Sequence, residues 1–197
     1  GVTLSGTVYL PDGVTPASDV TLKVFESSNP SGYLEEVVTD ATGAYAFSVA
    51  PGTYGLFLQV ATSSNAGLIG TFSAYRYLDG LVLNDNTVQD ITLPFVSISG
   101  RTVDGNGVAV PGVEVDIDTA MLPSINGGFT RQSGGQVTSE ASGNYAFSIY
   151  PHNDYDLNLA PPESAASLAG TPVQGREVSA DDNAGDRVVQ QGLTLSG

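Results

Sequence analysis

Short runs of alternating apolar and other residues are the dominant pattern along this chain. Apolar side chains occupy every second position over 20–24 and again over 113–117. A period of two is typical of strands that are buried on one face. Gly, Pro, Asn and Asp cluster between such runs, as turns require. The strongest helical segment, 163–168, spans only about a turn and a half at 3.6 residues per turn, so the pattern predicts an all-β protein.

The chain contains two copies of one unit. Residues 39–49 (TDATGAYAFSV) recur as residues 139–149 (SEASGNYAFSI), the segment 4–8 recurs at 98–103, and 88–93 has a looser match at 189–195. The copies meet near Pro94, which predicts domains over 1–94 and 95–197. About seven short strands in about 95 residues favour a sandwich. The predicted fold class is therefore all-β, with two tandem seven-stranded antiparallel β-sandwiches.

The two ends of the chain also match. Residues 1–6 (GVTLSG) and 192–197 (GLTLSG) differ only where Leu193 replaces Val2. One interpretation is that the final segment is the last strand of the second domain. The other is that it begins a further repeat of a longer array.

The repeated motifs resemble those of carboxypeptidase-regulatory-like domains. The segment 99–115 (SGRTVDGNGVAVPGVEV) is similar to their opening, and a second signature runs from the Asp40 turn through Tyr45 and Phe47 to Pro51-Gly52-Thr53-Tyr54. The second copy departs from it at 151–155 (PHNDY). The resemblance implies a transthyretin-like (prealbumin-like), Ig-like sandwich, related to collagen-adhesin B-type repeats. It also implies spacer, accessory or adhesin-stalk roles in secreted proteins.

The physical role of the second signature is structural. Tyr45 and Phe47 lie two positions apart, as do Tyr145 and Phe147. Residues with that spacing share one face of a strand. We therefore expect these four aromatic rings to pack in the cores.

Composition excludes several classes of function. The 197 residues include 21 acidic and 6 basic side chains, for a net charge of −15, and no Cys. Such a surface is unsuited to nucleic acid, no disulfide or thiolate site can form, and no apolar run approaches the ~20 residues of a membrane helix. The single Lys and the many Asp, Ser, Thr and Asn residues favour an extracellular, cell-surface protein. Because Gly stands first, we expect a processed or excised piece.

No catalytic arrangement emerges from the motifs. The single His, His152, lies in a Pro-His-Asn-Asp segment rather than beside a Gly-x-Ser-x-Gly nucleophile motif. Carboxylate pairs are present, but glycoside hydrolysis also needs an aromatic-rich cleft, and the chain has no Trp. The protein is therefore predicted not to be an enzyme and to need no cofactor, apart from the calcium considered next.

Two acidic clusters are candidate calcium sites, because Ca²⁺ takes six to eight oxygen ligands. The alternative is a solvated acidic surface that keeps the protein soluble. The candidate ligands lie in one loop and on one strand face: Asp181, Asp182, Asn183 and Asp186, and Glu114, Asp116 and Asp118. The loop cluster has a weaker counterpart in the first copy at 84–86 (NDN).

Two tyrosines are a candidate glycan platform. Tyr75 and Tyr77 alternate along one predicted strand and would present two rings on the same face. The alternative is that they cover the sheet or the neighbouring domain. Lys23 alone could form an isopeptide crosslink of the adhesin type, but alternation points it away from the core, which argues against the crosslink.

These observations predict a non-catalytic extracellular structural repeat: a stalk, a spacer or the subunit of a surface fibre. Its expected partners are further copies of the same repeat or subunit, end to end. The alternative is a ligand-binding accessory module, for carbohydrate or Ca²⁺, of a secreted hydrolase or adhesin. Neither nucleic acid nor membrane insertion is expected.

Overall fold

The computed structural model describes residues 1–61, 71–119, 132–165, 167–178 and 180–189. The chain forms two compact units, of which the first contains most described residues up to Pro94 and the second most of those from Phe95 onward, whereas Thr71 groups with the second unit and Gln132 with the first. Apart from one 3-10 turn at Glu163–Ala165, the regular structure described is all β. Among these residues, no helix has the length and hydropathy needed to cross a membrane.

Fifteen strands lie within the described residues. The first unit contains β1 (Val2–Tyr9), β2 (Thr21–Glu26), β3 (Tyr33–Val38), β4 (Ala44–Val49), β5 (Gly52–Ala61), β6 (Thr71–Leu83), β7 (Thr87–Val88) and β8 (Ile91–Thr92). The second contains β9 (Val96–Val103), β10 (Glu114–Thr119), β11 (Gln132–Thr138), β12 (Asn144–Ile149), β13 (His152–Ala160), β14 (Thr171–Val178) and β15 (Asp182–Val188).

In the first unit, two groups of strands contribute to the core. One is ordered β4-β1-β7, with β8 also paired to β1, and the other is ordered β6-β5-β2-β3. Leu4 of β1 faces Phe47 of β4 in register, and both side chains are buried. Leu22 of β2 faces Leu58 of β5 and is buried as well. The alternating apolar positions therefore form the core, as the sequence predicts.

The second unit repeats this plan. Its strands are ordered β12-β9-β15 in one group and β14-β13-β10-β11 in the other. One hydrophobic cluster joins the two groups, with Ile98 and Phe147 from the first and Val115 and Leu157 from the second. Tyr45, Phe47, Tyr145 and Phe147 are all at most 5 % exposed, so their predicted packing role is confirmed.

The prediction of wholly antiparallel strands is wrong for the last strand of each unit. β7 and β8 run parallel to β1, and β15 runs parallel to β9. The chain reaches these strands from β6 and β14, which belong to the other strand group of their unit. A strand that arrives by such a crossover, rather than by a hairpin, can pair in the parallel direction.

A buried hydroxyl occupies the same place in both units. Thr39 Oγ1 donates to Ala17 O (2.8 Å) and accepts from Val20 N (2.9 Å). Ser139 Oγ donates to Val110 O (3.1 Å) and accepts from Val113 N (3.0 Å). Motif matching missed this role. The aligned Thr39 and Ser139 at the start of the 11-residue repeat were the signal that could have revealed it.

Candidate functional site

The acidic loop of the second unit is engaged with its own backbone. Asp181 Oδ1 accepts from Ser97 N (2.8 Å), and Asn183 Oδ1 accepts from Gly185 N (2.9 Å). Asp186 lies 3.8 Å from Arg101 in an exposed ion pair, which contributes little to stability. Asp182 begins β15, beside β9. The side chains of Asp181, Asn183 and Asp186 therefore already have structural partners.

The bond from Asp181 has an exact counterpart in the first unit. There Asn86 Oδ1 accepts from Thr3 N (2.8 Å), just before the last strand segments begin. The acid or amide at this position satisfies a backbone N–H of the first strand in both copies. Its oxygen chemistry, which suggested calcium, also suits this structural role.

The structure describes two of the three acidic side chains on one face of β10. Glu114 is exposed and Asp116 is half-buried, whereas the side chain of Asp118 lies outside them. The Asp118 backbone faces Asp156 of β13. Among the side chains that the structure describes, no three His, Cys, Asp or Glu groups come together to suit a metal ion. The calcium sites stay a prediction.

Two other aspartates, Asp40 and Asp104, close turns. Asp40 Oδ1 accepts from the backbone N–H of Thr42 and Ala44 and from the Thr42 hydroxyl (2.7–3.0 Å). These bonds, led by the one from the Thr42 hydroxyl, lower the pKa of Asp40. Backbone bonds from Val108 and Asn106 lower the pKa of Asp104 in the same way. All of this chemistry serves hairpin and loop geometry.

The two tyrosines of the candidate glycan platform, Tyr75 and Tyr77, both belong to β6. The side chain of Tyr75 lies outside the described residues. Tyr77 is half-buried, and burial raises its pKa. Burial raises the pKa of Tyr45 far above its ordinary value, and electrostatic repulsion from the ionised forms of Tyr77 and Asp90 raises it further. The platform stays a prediction.

Lys23 lies on the outer side of β2, as its alternation predicts. Its ammonium is 3.0 Å from a Glu36 carboxylate oxygen on β3 and 4.9 Å from the centre of the Tyr33 ring. The flanking Leu22 and Val24 are fully buried in the opposite direction. An ion pair and a cation–π contact therefore hold this amine at the surface.

A polar groove of about 620 Å³ lies beside β9, β12 and β15 of the second unit. Tyr145 and Gly100 also border it. Its polar lining consists of Ser99, Arg101, Glu140, Asn144, Asn183 and Asp186. These side chains offer hydroxyl, amide and charged groups of the kind that hydrogen-bond polar ligands. Of the acidic-loop residues, Asn183 and Asp186 are the two found here.

The place of β1 in the first unit is the most closely specified site. β1 pairs with β4 on one side and with β7 and β8 on the other. Gly6 faces Tyr45, whose hydroxyl donates to Gln89 O (2.6 Å). A Cβ at Gly6 would overlap that same carbonyl oxygen and approach the Tyr45 ring. Only glycine therefore fits at this point of the strand.

Comparison with known proteins finds likeness in structure alone. No protein-family model matches the chain, and no curated protein matches it in sequence. The shaft pilin SpaA of Lactobacillus rhamnosus GG is similar over 99 % of both chains, with 11 % identity and a TM-score of 0.43. GBS52, the minor pilin of Streptococcus agalactiae, is similar over 100 % of this chain and 99 % of its own, with 14 % identity and a TM-score of 0.45.

A streptococcal ancillary pilin is similar over 97 % of this chain and 62 % of its own, with 14 % identity and a TM-score of 0.40. With TM-scores below 0.5, none of the three lends its function to this chain. The resemblance to carboxypeptidase-regulatory-like domains stays a prediction.

Proposed function

We propose that this protein is a non-catalytic structural repeat of a surface fibre or stalk, built from two tandem seven-stranded transthyretin-like sandwiches, where β7 and β8, which both pair with β1, count as one interrupted strand. The observation that carries the proposal is the equivalence of the two units. The same hydroxyl bridge, the same Asx bond to the first strand and the same glycine–tyrosine pair occur in both. Repeat proteins extend along one direction because each unit contacts only its neighbours, which suits a fibre or stalk.

The use of the polar residues supports the same proposal. Asp12, Asp40, Asp104 and Asp181 each accept backbone N–H bonds in turns or at a strand edge. Catalysis needs titratable groups directed at a shared point, whereas these carboxylates are distributed among separate turns. Their chemistry is that of a scaffold. The proposed location is the cell surface, and the proposed partners are further copies of the chain.

The test of this function is the mass and shape of the native chain, measured by light scattering and negative-stain imaging. We expect masses of many chains and long rods of uniform width. A compact particle of one chain mass at every concentration would contradict the fibre proposal.

The polar groove of the second unit favours a second candidate, an accessory module that binds a polar ligand such as a sugar. Arg101 and Asn144 would supply donors, and Asp186 an acceptor. A glycan screen with the native chain and an Asn144→Ala variant tests it. Glycan binding by the native chain that the variant loses would favour this candidate. Equal binding by the two chains would mean that the groove is not the glycan site. The predicted calcium sites belong to the same candidate, and an unchanged Tm on Ca²⁺ addition would argue against them.

A further inference from the structure

Few six-residue sequences could occupy the strand position that residues 1–6 hold in the first unit. Val2 and Leu4 point into the core and are 8 % and 0 % exposed. Gly6 must lack a side chain because a Cβ would overlap Gln89 O. Apolar residues at the second and fourth positions and glycine at the sixth are therefore required.

The remaining contacts of this strand come from its backbone. Thr3 N donates to Asn86 Oδ1 (2.8 Å), and Ser5 O accepts from Gln89 N (2.8 Å). β4 adds an antiparallel ladder from Val2 to Thr7. Any segment with the required side chains could make these bonds.

The segment 192–197 meets every requirement. It carries Leu193 and Leu195 at the second and fourth positions and Gly197 at the sixth, and five of its six residues are identical to those of 1–6. The corresponding segment of the second unit, 95–100 (FVSISG), shares only its last two residues with 192–197. The match therefore favours the strand position of the first unit over that of the second.

The segment also follows the second unit as a first strand would. Val189 N donates to Val103 O (2.8 Å), just as Leu93 N donates to Tyr9 O (2.9 Å) in the first unit. After Leu93, the next unit's strand segment begins two residues later, at Phe95. After Val189, the segment 192–197 begins three residues later. In both units, the backbone bond to the end of the first strand is thus followed within three residues by a segment with the first-strand sequence pattern.

We propose that residues 192–197 serve as a first strand for another unit and can replace residues 1–6 in the first unit of a second copy of this chain. Residues 7–9 of the receiving copy would keep their own place in β1, so donated and resident residues would form one continuous strand. Each copy offers one donor segment and one receiving position, and such head-to-tail contacts generate open chains. This deepens the proposed function, on which it rests for its biological use, by naming the contact that joins two copies.

The test compares two full-length variants, Gly6→Val and Gly6→Val/Gly197→Val. In the native chain the tethered residues 1–6 compete at an effective concentration on the order of mM. The Gly6→Val variant removes that competitor because valine cannot fit beside Gln89 O, whereas a donated Gly197 still fits. We expect at least about a twofold higher mean mass for Gly6→Val than for the double variant by light scattering, following the one-donor, one-acceptor geometry.

A peptide experiment covers the case in which Gly6→Val unfolds the first unit. A synthetic peptide of residues 190–197 is added in excess to the full-length double variant. We expect its Tm to rise by about 5 °C or more, since a ligand that binds only the folded state stabilises it. The same peptide with Gly197→Val is the matched control and should have no effect.

Equal masses for the two variants, together with no Tm change on adding the peptide, would overturn the strand inference. That outcome is separate from failure of the fibre proposal, which is decided by the native chain. Native rods with an inert peptide would mean that other surfaces join the copies. A monomeric native chain whose double variant responds to the peptide would leave strand replacement standing without the fibre.

Discussion

A glycine and a tyrosine face each other in register across β1 and β4 of the first unit, and another such pair lies across β9 and β12 of the second. Gly6 faces Tyr45, and Gly100 faces Tyr145. A Cβ at Gly100 would overlap the Tyr145 hydroxyl, as one at Gly6 would crowd the Tyr45 ring. The missing side chain makes room for the ring, which in turn packs edge-on against Phe47 or Phe147 at 5.9 or 5.8 Å between centroids. The Ser-Gly and Tyr-x-Phe motifs of the sequence are thus two halves of one contact.

Replacing Tyr45 by Phe tests the polar end of this contact. The variant keeps the ring but removes the 2.6 Å bond to Gln89 O. We expect the free energy of unfolding to fall by about 1 kcal/mol, the usual net value of one hydrogen bond. Urea denaturation measures it, with Tyr9→Phe as the control for loss of a phenol hydroxyl. A loss no greater than that of the control would show that water replaces the bond.

The pH dependence of stability should reflect the aspartate turns. Hydrogen bonds lower the pKa of Asp40 in the folded protein, so folding favours its ionised form. That contribution is present above the ordinary carboxyl pKa of about 4 and is lost as the pH falls through the lower folded value. An Asp40→Asn variant accepts the same N–H bonds without titrating. We expect it to lose less stability than the native chain between about pH 5 and pH 2.

The control for this prediction is Asp85→Asn, at an exposed carboxylate outside these turns. Thermal unfolding across the pH series gives the comparison. If stability falls with pH equally in the native and Asp40→Asn chains, the hydrogen bonds in the turn do not make the ionised form of Asp40 stabilise the fold.

At the scale of strands, the buried hydroxyl links the segment before β2 to the end of β3. Thr39 bonds to both Ala17 O and Val20 N. Thr39→Val preserves the shape but leaves a buried carbonyl and a buried N–H without this partner. We expect a loss of about 2 kcal/mol, measured by urea denaturation, and a similar loss for Ser139→Ala in the second unit. Thr92→Val, at an exposed position of β8, should change stability little.

The core could be predicted from the sequence because strand alternation and burial have the same period. Tyr45, Phe47, Tyr145 and Phe147 were identified from the repeated signature and their spacing of two, and all are buried. The parallel direction of β7, β8 and β15 could not be predicted, because a period of two is the same for parallel and antiparallel strands. Direction depends on the path between strands, which alternation does not record.

The candidate sites were harder to predict for a different reason. Asp181 and Asn183 were selected as oxygen-bearing side chains, and calcium and a backbone N–H use the same oxygen. Composition cannot distinguish the two uses. The structural use becomes visible only in the bonds themselves: Asn86 Oδ1 accepts from Thr3 N as Asp181 Oδ1 accepts from Ser97 N, so an uncharged amide is sufficient for this role.

The cores of the two units are built from equivalent residues, but the outer strand faces differ. Lys23 of β2 makes an ion pair with Glu36 on β3. At the equivalent point of β10, one residue after the buried Val115, stands Asp116. The core contacts needed for folding are thus repeated, while the surface charge differs from one unit to the next.

At the scale of the whole molecule, the net charge of −15 opposes association of identical copies. Added salt screens this repulsion, since the Debye length falls from about 30 Å at 0.01 M to about 8 Å at 0.15 M ionic strength. A strand contact made of backbone hydrogen bonds and buried Leu side chains loses little in salt. We therefore expect self-association of the native chain to strengthen as NaCl rises from about 10 to about 150 mM.

Sedimentation equilibrium at each salt concentration measures this effect, and imaging distinguishes uniform rods from irregular aggregates. The Gly6→Val/Gly197→Val variant has the same net charge and is the matched control, because it keeps the repulsion but lacks both fitting strands. If strand replacement joins the copies, salt should strengthen association of the native chain far more than that of the variant. Association that weakens with salt would instead indicate that opposite charges, such as Arg101 on one copy and the acidic residues of another, hold the copies together.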